Sequence, residues 1–149
     1  MTGDKLVIAL KDISVALGTK TVAGIVSAEK TSFVPGSRGF INGVISLRGE
    51  PVAVVSLGRA FGQDAQYGAP GLHKIIVVRD KARILGLDIG SSDVTFIWDE
   101  EIKDAVTRPP EMKFTKGVIE FNEWKLHLLD WEGLFAEATG MLSTDGAHV

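Results

Sequence analysis

The chain has 149 residues and no cysteine, which excludes disulfides, thiolate zinc sites and cysteine nucleophiles together. Its apolar fraction of 45% and charged fraction of 23% suit one globular domain and argue against disorder. Net charge is −3 with both signs dispersed, so the sequence carries no electrostatic footprint for nucleic acid.

Short segments rich in Val and Ile, interrupted by Gly or Pro every eight to twelve residues, predict a β-sandwich or barrel. The N-terminus has one lysine before a run of five apolar residues, Leu6–Leu10. That run is too short for a signal peptide or for a membrane span of roughly 20 residues, which predicts a cytoplasmic protein without direct membrane insertion. Leu6–Leu10 reads as a first strand, Lys11-Asp12 as a turn and Ile13–Leu17 as the hairpin partner. Over Thr21–Ser27 the apolar residues Val22, Ile25 and Val26 fit one face of a short helix as well as they fit a strand. Thr31–Gly39, with Val34-Pro35-Gly36, reads as a loop.

Two strands then flank a turn at Arg48-Gly49-Glu50-Pro51, one over Ile41 and Val44–Leu47 and the other over Val52–Leu57. Gln63–Leu72 is polar and resembles a linker. Further strands are expected over Lys74–Arg79, Arg83–Ile89 and Val94–Trp98, followed by a surface excursion through Pro109-Pro110. Phe114–Phe121 and Trp124–Leu129 form a hairpin around Asn122-Glu123. Asp130 is the expected N-cap of a short helix over Trp131–Ala138 that Gly140 ends, with a loose tail from Ser143. Gly43-Val44-Ile45 and Gly117-Val118-Ile119 open strands in similar settings, which suggests two copies of one β-unit split near residue 70.

Nothing in the sequence suggests catalysis. His73, His127 and His148 are far apart and lack any metal-ligand spacing such as HExxH. His127, between Leu126 and Leu128, reads as a structural histidine, and Asp99-Glu100-Glu101 as a solvated turn. No phosphate loop and no GxSxG elbow is present. Phe96, Trp98, Trp124 and Trp131 read first as packing, with an exposed tryptophan in a partner interface as the sharper alternative. The expectation is a protein that is not an enzyme and needs neither cofactor nor metal.

The stretch FINGVISLRGEPVAVVSLGRAFG, from Phe40 to Gly62, resembles the signature of the CheW-like chemotaxis coupling family. Phe40, Ile41, Gly43, Val44, Ile45, Leu47, Arg48, Gly49, Leu57, Phe61 and Gly62 fall in register with it. Weaker matches extend over nearly the whole chain, from Ser14–Leu17 to Leu128-Leu129-Asp130 and Leu134-Phe135. Departures are Ser46 for Asn, Ala53 for Pro, Ser56 for Asp, Gly58 for Arg and Gly24 for the common Glu.

The resemblance implies an all-β fold with a short C-terminal helix. A single domain over 1–149 would hold two side-by-side five-stranded SH3-like barrels, one over about 5–65 and one over about 72–130, with the helix over about 131–139. It also implies a non-enzymatic adaptor that couples the cytoplasmic tip of a chemoreceptor to the regulatory domain of a CheA-type histidine kinase. Recruitment to receptor arrays and contact with other CheW-like proteins belong to the same expectation. Receptor-side residues would be Arg48, Leu47, Gly49, Val22, Ile25 and Val26; kinase-side residues would be Ser56 and Gly58, where the departures predict weak or lost engagement. From another class, the alternative is a small β-barrel that binds nucleic acid.

Overall fold

Among the described residues, ten short strands and a C-terminal helix realise the pattern of brief β-branched runs. The computed structural model describes residues 3–28, 39–63, 73–99, 112–121 and 123–146. The strands are β1 (Lys5–Ala9), β2 (Ser14–Gly18), β3 (Val22–Ala28), β4 (Ile41–Leu47), β5 (Glu50–Ser56), β6 (His73–Asp80), β7 (Arg83–Gly90), β8 (Asp93–Ile97), β9 (Thr115–Phe121) and β10 (Trp124–Leu129). One helical turn, α1 (Leu57–Ala60), follows β5, and α2 (Trp131–Gly146) follows β10. The linker expected over Gln63–Leu72 and the excursion through Pro109-Pro110 lie almost wholly outside the described residues.

The strands form two five-stranded sheets, in the orders β8-β1-β2-β10-β9 and β3-β6-β7-β5-β4. In each sheet, one antiparallel hairpin meets a second through a short parallel ladder. These ladders are Leu126–Leu128 beside Ser14–Ala16 and Val54–Ser56 beside Gly86–Asp88. The two orders are the same topology, with β8, β9, β10, β1 and β2 standing for β3, β4, β5, β6 and β7. The expected boundaries are therefore corrected: the sheets do not divide at residue 70, because β1 and β2 complete a sheet whose other strands lie beyond residue 93. Local pattern reveals hairpins; it does not reveal which hairpins pair over such distances.

The Gly-Val-Ile echo marks true structural equivalents. Both β4 and β9 carry a bulge just before the glycine, at Asn42 and Lys116. Each bulge adds a residue and sharpens the local twist. Before each stands a phenylalanine whose carbonyl accepts a 2.7 Å bond from the residue that starts the next helix, Phe40 from Ser56 N–H and Phe114 from Asp130 N–H. Ser56 and Asp130 cap α1 and α2 through side-chain oxygens that accept from Arg59 N–H (3.2 Å) and Gly133 N–H (3.1 Å). The Asp130 cap agrees with the sequence. The expected stop at Gly140 does not: α2 runs on through it to Gly146, so a glycine with open space around it stays helical.

Strand alternation divides the apolar residues among three cores. Leu6, Ile8, Val15 and Leu17 of one sheet pack with Val55, Ile76, Val78, Leu85 and Leu87 of the other, and Leu134 and Ala138 of α2 seal this shared core. On the opposite faces, Val7, Ala16, Ile97, Ile119 and Leu126 fill one sheet's interior, and Val54, Ile75 and Val77 the other's. Within the shared core the equivalent phenylalanines meet edge to face, Phe40 against Phe114 at 5.7 Å between ring centroids.

Phe114→Ala should lower stability by about 3–5 kcal/mol, as expected for a buried aromatic truncation. A single transition in urea, shifted to lower midpoint, is the expected outcome; two separate transitions would show that the sheets unfold independently.

His127 is half-buried, and its Nδ1 has no hydrogen-bond partner among the described residues. Burial first, and the charge of Lys125 second, push its pKa below the usual histidine value. The folded state thus favours neutral imidazole, and its contribution is complete above the unfolded pKa near 6.5 and is lost as pH falls through the lowered folded value. Melting temperature of the wild type should fall more between pH 7.5 and 5.5 than that of His127→Gln.

Candidate functional site

Around Arg48 the signature stretch folds as a tight hairpin. Leu47 pairs with Glu50, leaving Arg48 and Gly49 as a two-residue turn. Both have positive φ, 52° and 80°, the backbone of a type I′ turn that matches strand twist. Arginine is an uncommon residue in that region, where asparagine or glycine costs less. Its side chain is exposed and has no ion pair or hydrogen bond among the described residues.

The turn stands over an open hollow of about 280 Å³. Its walls come from β3 (Ala23, Gly24, Ile25, Val26), β6 (Val77, Arg79) and the turn (Leu47, Arg48, Glu50). β3 and β4 are opposite edges of their sheet, so its curl alone brings them to one rim. Arg79 Nη2 holds the turn against β6 by pairing with Glu50 Oε1 at 2.6 Å. Ile25, 42% exposed, is a large apolar side chain left open to solvent beside this rim. Among the described residues the hollow therefore joins an apolar floor to an unpaired guanidinium and offers no group for covalent chemistry.

A polar relay beneath the hairpin fixes its far end. Buried Asp88 accepts Gly90 N–H at 2.8 Å and Asn42 Nδ2 at 2.9 Å. The amide oxygen of Asn42, in the bulge, accepts from the Arg59 guanidinium. Thus Arg59, exposed beside the departure at Gly58, ties α1 to the bulge in β4, and the relay holds the bulge that sets the register of that strand.

The expected receptor-side residues separate. Leu47, Arg48, Ile25 and Val26 share the hollow, with Gly49 in its turn. Val22 lies in the shared core, only 6% exposed, because a bulge at Ala23 reverses the facing of β3 between Val22 and Gly24. Ser56 is 1% exposed and caps α1, and Gly58 is buried, so neither presents a side chain to a partner. Ala23, Glu50, Val77 and Arg79 were not anticipated. The alternation of Val77 and Arg79 along one strand carried part of the signal; the reach of β3 across to the turn did not.

A larger groove of about 630 Å³ lies by Lys5, Lys20, Lys116, Asp80 and the start of α2. Its charges are of both signs and partly satisfied, with Lys5 paired to Asp99 at 3.0 Å. Among the described residues no group of three potential metal ligands occurs. No described helix is long and apolar enough to cross a membrane.

Two topologically equal sheets, a shared core and an apolar hollow with a cation at its rim, unpaired among the described residues, are features of a scaffold rather than of a catalytic centre. Residues 4–139 match the CheW-like domain model, and the chain belongs to that family, whose members are scaffolding domains rather than enzymes. It is 26% identical over 140 residues to a probable chemotaxis protein CheW of Rhizobium etli, covering 91% of this chain and 90% of that one. Its fold resembles that of the scaffolding protein TtCheW from Thermoanaerobacter tengcongensis, with a TM-score of 0.67 at 23% identity. That likeness covers 86% of this chain and 89% of the other.

Gly24 has open space where a Cβ would stand. Gly24→Glu should therefore leave the fold intact and raise the melting temperature slightly, because glycine weakens a strand interior. A drop of several degrees in thermal melts would show that the hollow needs the bare backbone.

Proposed function

We propose that the chain is a cytoplasmic adaptor of a bacterial chemosensory pathway. It couples the helical tip of a chemoreceptor to a CheA-type histidine kinase, with the hollow beside Arg48 as the receptor contact. Family membership supplies the scaffold role, and the hollow supplies a surface with suitable chemistry. An amphipathic helix lays an apolar face into such a groove. Ile25, Val26, Leu47 and Val77 offer that face its counterpart. The observation that carries the reading is an arginine without a partner among the described residues, held in left-handed backbone at the rim of an apolar hollow. Strain kept at an exposed turn points to use rather than stability. Localisation at receptor arrays follows from this role.

Arg48→Gly separates the two roles. Removing a side chain from positive φ should hold or raise the melting temperature, while binding of a soluble receptor-tip fragment weakens by about 1–3 kcal/mol through loss of charge-assisted contacts. Calorimetry on the two proteins measures both quantities. Unchanged affinity would return Arg48 to the status of a solvated charge.

A second reading concerns the kinase. Ser56 and Gly58 stand where the family pattern carries Asp and Arg, so α1 lacks those two charges and keeps exposed Arg59 as its cation. This favours kinase engagement weaker than receptor engagement. Titration with the kinase regulatory domain at matched ionic strength tests it, and equal or tighter kinase binding would discard it.

A further inference from the structure

Strand register aligns the two units residue by residue. Phe121 and Trp124 take the places of Leu47 and Glu50, and Val7 and Ala9 those of Val77 and Arg79. By the same alignment Gly18 stands for Asp88, Lys116 for Asn42 at the bulge, and Gly133 for Arg59 three residues past the helix cap. The relay of carboxylate, amide and guanidinium that braces one unit therefore lacks both charged ends in the other. The surface is hollow at that point. A Cβ added at Gly18 would meet nothing within 4 Å, and Gly18, Lys116 and the first turn of α2 line the groove of about 630 Å³.

We propose that this groove binds a free basic amino acid, whose carboxylate and cationic side chain supply the two ends that Gly18 and Gly133 leave out. The charges of the lining decide the class. Lys5 pairs with Asp99, and Arg83 holds both Asp80 and Glu132. Lys20 and Lys116 are left with no ion pair or hydrogen bond among the described residues. Asp4 and Asp130 each spend one carboxylate oxygen on a backbone N–H, that of Asp99 at 2.9 Å and that of Gly133 at 3.1 Å. Their second oxygens accept nothing among the described residues. The ligand's carboxylate meets the two lysines, and its α-ammonium and side-chain cation meet the two aspartates. A simple anion would face Asp4 and Asp130 unaided, and a simple cation would face the lysines. Acids outnumber lysines in the lining, so an amino acid with net positive charge also balances the field. Trp131, in the same wall, adds a buried Nε1 donor without an acceptor among the described residues.

The groove gathers the start of β1, the bulge of β9, the start of α2 and, through Asp80, the end of β6 in the other sheet. An occupant ties these elements together and binds only the folded chain, so it stabilises the fold by mass action. The groove shares no lining residue with the hollow beside Arg48, and the inference is independent of the function proposed above.

Calorimetric titration of the full chain with L-arginine, at ionic strength held with sodium chloride, tests the proposal. Arginine should bind at one site with a Kd of about 1 mM or tighter and raise the melting temperature. Agmatine, which lacks the carboxylate, and norvaline, which lacks the guanidinium, should each bind about tenfold more weakly or worse. Lys116→Gln, at an exposed position, should weaken arginine binding about tenfold and leave the melting temperature without ligand unchanged. Gly18 has φ −67° and ψ 137°, extended backbone that any residue adopts, so Gly18→Asp should fold, set a carboxylate in the ligand's place and abolish arginine binding. Lys116→Gln and the two analogues decide the matter even if Gly18→Asp melts early. No saturation of the wild type by about 10 mM arginine, agmatine or norvaline binding as tightly as arginine, or a folded Lys116→Gln that binds it like the wild type would each overturn the proposal.

Discussion

A parallel ladder at Leu126–Leu128 and Ser14–Ala16 is the contact on which the rest of the structure depends. It joins the two ends of the described chain, and without it β1 and β2 have no second hairpin to meet. Parallel pairing cannot be closed by a tight turn, so the intervening chain must make a long crossover. Here that crossover includes the whole second sheet. Completing one sheet therefore encloses the other, and the shared core around Phe40 and Phe114 forms only when both ends are in place. Helix α2, leaving β10 directly, then lays Leu134 and Ala138 over the seam. Arg83 fastens it from outside by reaching Glu132 at 3.2 Å.

This arrangement leaves the surface proposed for partner contact to the rims. In each sheet the central strands are paired on both sides, and β7 is buried from Leu85 to Gly90. The edges and turns are what remain for partners. A turn of two residues between rigid strands places a side chain with little freedom to lose, so less ordering entropy opposes binding. The relay through Asp88, Asn42 and Arg59 extends this rigidity to the far end of the same hairpin.

Repetition of one unit also explains how two rims of like shape acquire different chemistry. The backbone frame of a bulge, a glycine, a turn and a capped helix is kept in both copies. Core positions exchange one small or apolar side chain for another, whereas the rims change in kind: Arg79 with Glu50 in one, Ala9 with Trp124 in the other. Core positions tolerate little change because packing is dense, whereas rim positions are free to diverge.

By itself the sequence determined the local layer of this protein. Most strand positions, the turns within Lys11-Asp12 and Arg48-Gly49-Glu50-Pro51, the hairpin of β9 and β10, and the cap at Asp130 follow from alternation, turn chemistry and capping, all of which act within a few residues, whereas Thr21–Ser27 fitted helix and strand alike. The signature from Phe40 to Gly62 carried the family, and with it Arg48 and Leu47 as site candidates. Tertiary structure decided what depends on distant pairing. It assigned β1 and β2 to the sheet of β8–β10, and it carried α2 past Gly140 on a packed face that outweighs one glycine's cost. It also turned Val22 inward through a bulge and buried Ser56 and Gly58. Finally it brought Ile25 and Arg79 to Arg48, since the edges of a sheet meet only when the sheet curls, and no spacing along the chain encodes that approach.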